Sequence, residues 1–293
     1  MPSMSEKVLI AGGGIAGLAT GLALTRAHAD VHILERAPKL TEVGAGVQLG
    51  PNVTRILDAW GLLPAVQKVA FYPKNLQARN ANSGEVLATL SLSDFSKRYG
   101  TPYVTIHRAD LQNILLQEVQ SSGITLQCDT HVQKLHQDSR QVDVTFSEGM
   151  PANGDANKTA STSMQDQSQS QSQSQSQSQS QSQSQSQSAD ALVIADGVWS
   201  NLRQQLLGDG PPRMTGHLAY RALVQQADLP THLRTQDVSV WMGNKVHVVQ
   251  YPVRKGEWLN VVCLTEGQLQ GVSMQDLQDW NVSKTPQIGR AHV

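Results

Sequence analysis

Apolar positions along this chain change period several times, and each change marks an element. Val8 to Ala11 is a short apolar run that predicts a strand. Ile15, Leu18, Ala19, Leu22 and Ala23 then recur at helical spacing, and Val31 to Leu34 is a second apolar run, so the opening segment predicts a βαβ unit. Val53, Ile56, Leu57 and Trp60 mark a second amphipathic helix, begun near Pro51 and stopped by Gly61. Leu111, Ile114, Leu115 and Val119 mark a third that stops before Gly123, with a strand-like region between the two. Ile124 to Gln127, Val132 to His136 and Val142 to Phe146 predict short strands, the last two joined by a turn at Asp138-Ser139. Ala191 to Ala195 is wholly apolar, the pattern of a buried strand, and a helix follows from about Ser200 to Leu207. Beyond Gly216, Leu218 to Val224, Val238 to Trp241, Val246 to Tyr251 and Trp258 to Leu264 predict one sheet, with turns at Gly243-Asn244 and Lys255-Gly256.

One stretch has no apolar pattern at all. Residues 167 to 188 are an uninterrupted Gln-Ser repeat, preceded by a polar tract from about Ser147 to Asp166. Nothing apolar is available there to offset ordering entropy, so the sequence predicts disorder; the alternative is a Gln-rich interaction tract. A surface loop tolerates such an insert, since doubling its length adds only about 0.6 kcal/mol of closure entropy.

Composition narrows the class. The 293 residues suffice for one large or two ordinary domains, and a net charge of −1 without a basic block gives no electrostatic case for nucleic acid or an anionic membrane. The two cysteines, Cys128 and Cys263, have neither disulfide-framework nor metal spacing and read as reduced core residues; no metal site is expected. Met1 to Lys7 leaves no room for a signal peptide and no apolar run is long enough to span a bilayer, so a cytoplasmic location is expected.

The chemistry lies in the first unit. Gly12-x-Gly14-x-x-Gly17 joins its first strand to its helix. Gly12 permits the tight turn, Gly14 lets backbone approach a pyrophosphate, and Gly17 lets the helix pack close to the strand. Glu35 ends the second strand at the offset of roughly twenty residues at which a carboxylate accepts ribose hydrogen bonds. A dinucleotide site is expected here.

Four segments taken together resemble the single-component flavoprotein aromatic hydroxylases, in particular the salicylate hydroxylase and 3-hydroxybenzoate 6-hydroxylase group. They are Gly12 to Gly17 with Glu35-Arg36, Val43 to Leu49 before Pro51-Asn52, His107 to Leu111, and Ala195 to Ser200. Gly216 to Arg221 and His247 to Val253 are similar to strands of that family's substrate domain. The resemblance implies an α/β fold: a Rossmann-like FAD-binding domain interleaved with a β-sheet substrate domain. It divides the chain into 1–75, 105–146 and 189–212 for FAD, 76–104 and 213–280 for substrate, 147–188 as insert and 281–293 as tail. It implies that Gly12, Gly14, Gly17 and Glu35 hold the adenosine half of FAD, with Arg36 beside the adenine. Arg108 is implied at the pyrophosphate or ribityl chain, and Asp196-Gly197 in FAD and pyridine-nucleotide binding.

The activity so implied is hydroxylation of an aromatic hydroxy acid by NADH or NADPH and O₂ through a flavin hydroperoxide, the protein orienting the ring and excluding water. A base or hydrogen-bond acceptor near the substrate phenol is wanted, and the candidates are Tyr220, Gln48 and His217, with His247 behind them. Other flavin or NAD oxidoreductases, such as an epoxidase or a dehydrogenase, and a non-catalytic dinucleotide-binding fragment stay open, as does a homodimer. The family's later Gly-Asp signature does not occur after Leu264, and Ile288 to Val293 look like a translated sequencing adapter. A truncated gene fragment is therefore expected, the alternative being a natural short tail.

Overall fold

The structure, a computed structural model, describes residues 5–40, 45–148, 184–213 and 215–267. In chain order its elements begin with β1 (Lys7–Ala11), α1 (Ile15–Arg26), β2 (Asp30–Leu34), β3 (Gly46–Leu49), α2 (Pro51–Ala59), α3 (Leu63–Val69), β4 (Asn75–Asn80) and β5 (Val86–Ser91). They continue with α4 (Phe95–Tyr99), β6 (Val104–His107), α5 (Arg108–Ser121), β7 (Thr125–Gln127), β8 (Thr130–Gln137), β9 (Val142–Glu148) and β10 (Ser184–Ala189). The last are β11 (Ala191–Ile194), α6 (Asn201–Leu207), β12 (His217–Gln225), β13 (Val238–Gly243), β14 (Val246–Val253) and β15 (Trp258–Glu266). The chain divides into two compact units, Met1–Leu40 with Ser122–Gly210 and Thr41–Ser121 with Pro211–Val293.

In the first unit β1 lies inside a parallel sheet of order β11-β1-β2-β7, which explains its unbroken apolar run. Alternate side chains serve opposite faces. Ile10 meets α1 where the helix carries Gly17 and Gly21, and a Cβ on either glycine would stand 3.5 or 3.6 Å from it. On the other face Leu9 and Ala11 join Leu34, Val144, Phe146 and Leu202 in a buried cluster. β8, β9 and β10 form the antiparallel sheet that supplies much of that cluster. β11 was expected to be buried, yet its four residues are only half-buried or exposed. It pairs with β1 on one side and is the outer strand of the sheet among the described residues.

β10 corrects the expectation of disorder for the end of the Gln-Ser repeat. Ser184–Ala189 runs antiparallel to β9, from Ser184 opposite Ser147 to Ala189 opposite Val142. A dipeptide repeat has the two-residue period of a strand. Gln185, Gln187 and Ala189 therefore share the face of Phe146, Val144 and Val142, while the serines take the other. Ala189, 5% exposed, anchors the core end. Gln187 Nε2 pairs with His32 Nδ1 at 2.8 Å, and Ser188 Oγ donates to Asp143 at 2.5 Å. The remainder of the repeat, the polar tract from 149 and the tail beyond 267 lie outside the described residues. Gln185 stands opposite buried Phe146 with no side-chain hydrogen bond among the described residues, so Gln185→Val should raise stability by about 0.5–1 kcal/mol through a better cross-strand pair. A thermal melt that is unchanged or lowered would show that the glutamine stem already fills the position.

In the second unit six strands form a mixed sheet of order β12-β15-β14-β13-β4-β5, antiparallel except where β13 meets β4. Its core is Leu92, Val238, Tyr251 and Val253, with Leu76, Phe95, Tyr103 and Trp258 packed against them. Hydrogen bonds tie the β3–β6 pair to this sheet: the Thr105 hydroxyl donates to the Pro252 carbonyl, and Gly46 N–H donates to Asn260 Oδ1 at 2.7 Å. These ties place residues 45–75 and 105–121 with the substrate-sheet strands, whereas the sequence division grouped them with the FAD-binding segments. Both cysteines are free and half-buried, not core residues. No described helix is long and apolar enough to cross a membrane.

Candidate functional site

The turn after β1 is built so that two of its glycines have no alternative and a third faces open space. Gly12 has φ +107°, and a Cβ there would lie 2.7 Å from the Ala195 carbonyl carbon. A Cβ on Gly17 would fall on the Gly12 carbonyl oxygen, with its carbon at 3.0 Å. So Gly17 is required chiefly by the turn's own backbone, more than by the strand beneath it. A Cβ on Gly14 meets nothing within 4 Å among the described residues. Gly14 is the N-cap of α1, and no side chain among the described residues caps that helix. Its first N–H groups are thus left for an anion in the space above Gly14.

Glu35 frames this space. Its Oε2 accepts from Gly13 N–H at 2.5 Å and its Oε1 from Ala37 N–H at 2.7 Å, so each carboxylate oxygen is oriented by backbone and keeps further acceptor capacity. Gly13 is a site residue that the motif reading passed over, although the run of three glycines at 12–14 signalled it. Asp129, at φ +55°, turns the chain so that Thr130 N–H reaches Glu35 O at 2.9 Å and Asp129 N–H reaches Ala37 O at 3.1 Å. This brings His131 to the same end of the sheet as Arg36 and Asp196. Burial pushes the His131 imidazole below its usual pKa, Arg36 adds to that shift and Asp196 opposes it. Asp196 and Gly197 are exposed at the end of β11, next to the Gly12 turn, and Gly197 has φ +86°. The C-terminal ends of adjacent parallel strands β1 and β11 therefore carry Gly12 and Asp196 side by side, the position at which open α/β sheets take ligands.

The second unit gathers its polar groups elsewhere. Gln48 on β3 accepts a hydrogen bond from the Tyr103 hydroxyl and also bonds Tyr251. Tyr251 is 4% exposed and Asn260, its register partner, 1%. A Cβ on Gly46 would come within 2.5 Å of the Tyr251 ring and 2.9 Å of the Asn260 amide carbon, so β3 can approach only through a glycine. Asn260 Nδ2 is buried without a hydrogen-bond partner among the described residues. Burial raises both tyrosines to about 12; the neighbouring Tyr251 adds to the Tyr103 shift, whereas Arg221 and Gln48 hold Tyr251 down. A hydroxyl whose folded pKa lies above its unfolded value stabilises the fold below pH 10, and that stability is lost between pH 10 and 12. Of the five tyrosines, these two should ionise only near pH 12 or as the second unit unfolds, read as delayed tyrosinate absorbance in an alkaline titration. A single transition near pH 10 for all five would refute the burial argument.

The structure does not bring the catalytic candidates together. Tyr220 pairs with Cys263, an odd number of residues from the Leu223–Asn260 pair, so it stands on the opposite sheet face from Tyr251 and Asn260. His217 and His247 are exposed on the Tyr251 face, and His217 Nδ1 lies 3.2 Å from Thr215 O. Only Gln48 sits in the buried cluster. Sequence reading missed Tyr103, Tyr251 and Asn260, although Tyr251 falls inside the segment His247 to Val253 that carried the family resemblance. Arg108 begins α5 and its N–H bonds Ala45 O at 2.9 Å. Two residues on, Asp110 accepts from Arg254 Nε at 3.1 Å and Nη2 at 3.2 Å, fixing that first turn to the β14–β15 connection. Residues Val43 and Gly44 of the quoted motif lie outside the described residues.

A glycine turn feeding an uncapped helix, with an oriented carboxylate at the end of the next strand, defines a dinucleotide-binding protein of the Rossmann-like class. The chain belongs to the FAD binding domain family, which it matches over residues 5–271. It is 35% identical over 257 residues to 3-hydroxybenzoate 6-hydroxylase of Polaromonas naphthalenivorans (strain CJ2), covering 87% of this chain and 55% of that protein. It is 31% identical over 261 residues to 3-hydroxybenzoate 6-hydroxylase 1 of Aquipseudomonas alcaligenes, covering 88% and 57%. The chain thus spans somewhat over half the length of these curated relatives. Among solved structures, HpxO of Klebsiella pneumoniae with FAD and uric acid aligns with a TM-score of 0.68 at 21% identity, covering 97% of this chain and 64% of that one. CtdE with FAD and its substrate aligns at 0.70 and 17% identity, covering 91% and 58%. These likenesses bear out the α/β fold expected from sequence.

Proposed function

We propose that this chain carries the FAD-binding and substrate-sheet portions of a monooxygenase that hydroxylates an aromatic hydroxy acid, using NAD(P)H and O₂. The observation that carries the reading is the open space at Gly14, set between an uncapped helix N-terminus and the two-point-held Glu35 carboxylate. The residues fit the adenosine half of FAD. The N–H groups of α1 would receive the pyrophosphate and Glu35 the ribose hydroxyls, with Arg36 at the adenine and Asp196-Gly197 closing the turn. Arg108 is assigned to the same cofactor by family likeness. FAD, when bound, supplies reduction by the nicotinamide and activation of O₂.

The chain's own contribution to chemistry is sought in the second unit. Tyr103 and Tyr251 keep their protons throughout the physiological range and hold the Gln48 amide between them. Gln48 is therefore the favoured group of the original candidates for bonding a phenol or carboxylate, through whichever amide atom the tyrosines leave available. Tyr220 and His217 remain candidates for substrate contact from their own positions. The relatives' names point to 3-hydroxybenzoate as the first substrate to try. A cytoplasmic location accords with this chemistry.

The test is to load the purified chain with FAD and add 3-hydroxybenzoate, then NADH in air. The reading expects the aromatic acid to perturb the flavin spectrum and to accelerate NADH oxidation, with benzoate, which lacks the phenol, doing less. Bound FAD that responds to no aromatic acid would overturn it.

A further inference from the structure

We infer that β10 is a self-pairing edge through which two copies of this chain associate, the strand of one copy running antiparallel beside the same strand of the other. Among the described residues β10 is the outer strand of the sheet β10-β9-β8. Pairing with β9 uses alternate backbone groups, and the rest point away from the sheet, where no described strand takes them. Such an edge recruits another strand unless charge, proline or a bulge discourages it. The opposite edge has these protections: β8 carries Lys134, and its ladder slips between Val132 and Lys134. β10 has none. Ser184 to Ser188 contains neither charge nor proline, and its ladder with β9 runs through six pairs without a shift.

The sequence of β10 also names its partner. Pairing Ser184-Gln185-Ser186-Gln187-Ser188 with itself about Ser186 sets serine opposite serine and Gln185 of one copy opposite Gln187 of the other. Each amide then has both a donor and an acceptor to offer across the junction, the pairing that stabilises stacked glutamine strands. No different sequence is needed. The strand is short, so the association is expected to be weak and concentration-dependent.

Sedimentation of the full chain between about 1 and 200 µM, above the concentrations at which standard-size interfaces saturate, should show its average mass rising toward a dimer. The double variant Ser184→Lys, Ser186→Lys, changed at two exposed serines, should melt like the parent and stay monomeric. Independently, Ser186→Cys in a chain with Cys128 and Cys263 changed to serine should form an intermolecular disulfide on mild oxidation. Ser139→Cys, exposed in the turn between β8 and β9, should not. A parent that is monomeric throughout, association that survives the lysines in a folded variant, or equal crosslinking at both positions overturns the proposal. If the lysine variant fails to fold, the crosslinking comparison decides.

Discussion

Gly17→Val should prevent the first unit from folding, whereas Gly14→Val should leave it folded and unable to hold FAD. The two positions lie three residues apart in one motif, yet they meet different surroundings. At Gly17 any Cβ falls on the Gly12 carbonyl, a backbone atom that cannot move without opening the β1–α1 turn. Overlap of that kind belongs with the severe class of single changes, above about 4 kcal/mol. At Gly14 the backbone is extended, at φ −67° and ψ −178°, and no described residue occupies the space beyond it. A β-branched side chain fits there at a cost of about 1 kcal/mol as a poor N-cap. What it removes is the room for a pyrophosphate. Circular dichroism melts and flavin-fluorescence titration of the two variants separate the effects. A Gly14→Val protein that still binds FAD as the parent does would mean that the pyrophosphate lies elsewhere.

Glu35→Ala should weaken FAD binding at least tenfold to a hundredfold and loosen the glycine turn as well. Charge-assisted hydrogen bonds contribute about 1.5–3 kcal/mol each, and the proposed ribose bonds fall in that class. The carboxylate also holds Gly13 and Ala37, so its loss leaves two N–H groups without their acceptor. Glu35→Gln tests this second role, because its –NH₂ must face one of those N–H donors whichever way the amide turns. Both variants should therefore lose affinity, and calorimetric titration would show it. An unaffected Glu35→Gln would show that neither the turn nor the cofactor needs the carboxylate.

The first unit was legible in the sequence because its parts are local. Glycine spacing, the helical period behind it and the terminal acid all lie between Val8 and Glu35, and each keeps its predicted place. The strands of the second unit were legible from alternation, from His217–Gln225 through Trp258–Glu266. Its site was not. Gln48, Tyr251 and Asn260 come from three strands and Tyr103 from the segment just before β6, and they meet only because Gly46 lets β3 approach Tyr251 and Asn260. No periodicity connects residues so far apart in sequence. Tyr220 shows the converse: its segment matched the family, but register parity put it on the face away from Tyr251. β10 escaped because composition was weighed there and period was not. A Gln-Ser repeat has nothing apolar to bury, yet its two-residue period fits an edge that β9 already offers.

Competition measures most directly whether the first unit recognises FAD by its adenosine half. FAD should bind the purified 293-residue chain saturably, ADP should displace it, and riboflavin, which lacks both phosphates and adenosine, should not. Displacement by riboflavin with indifference to ADP would contradict the claim and move recognition from the Gly12–Gly17 turn to a site for the flavin ring.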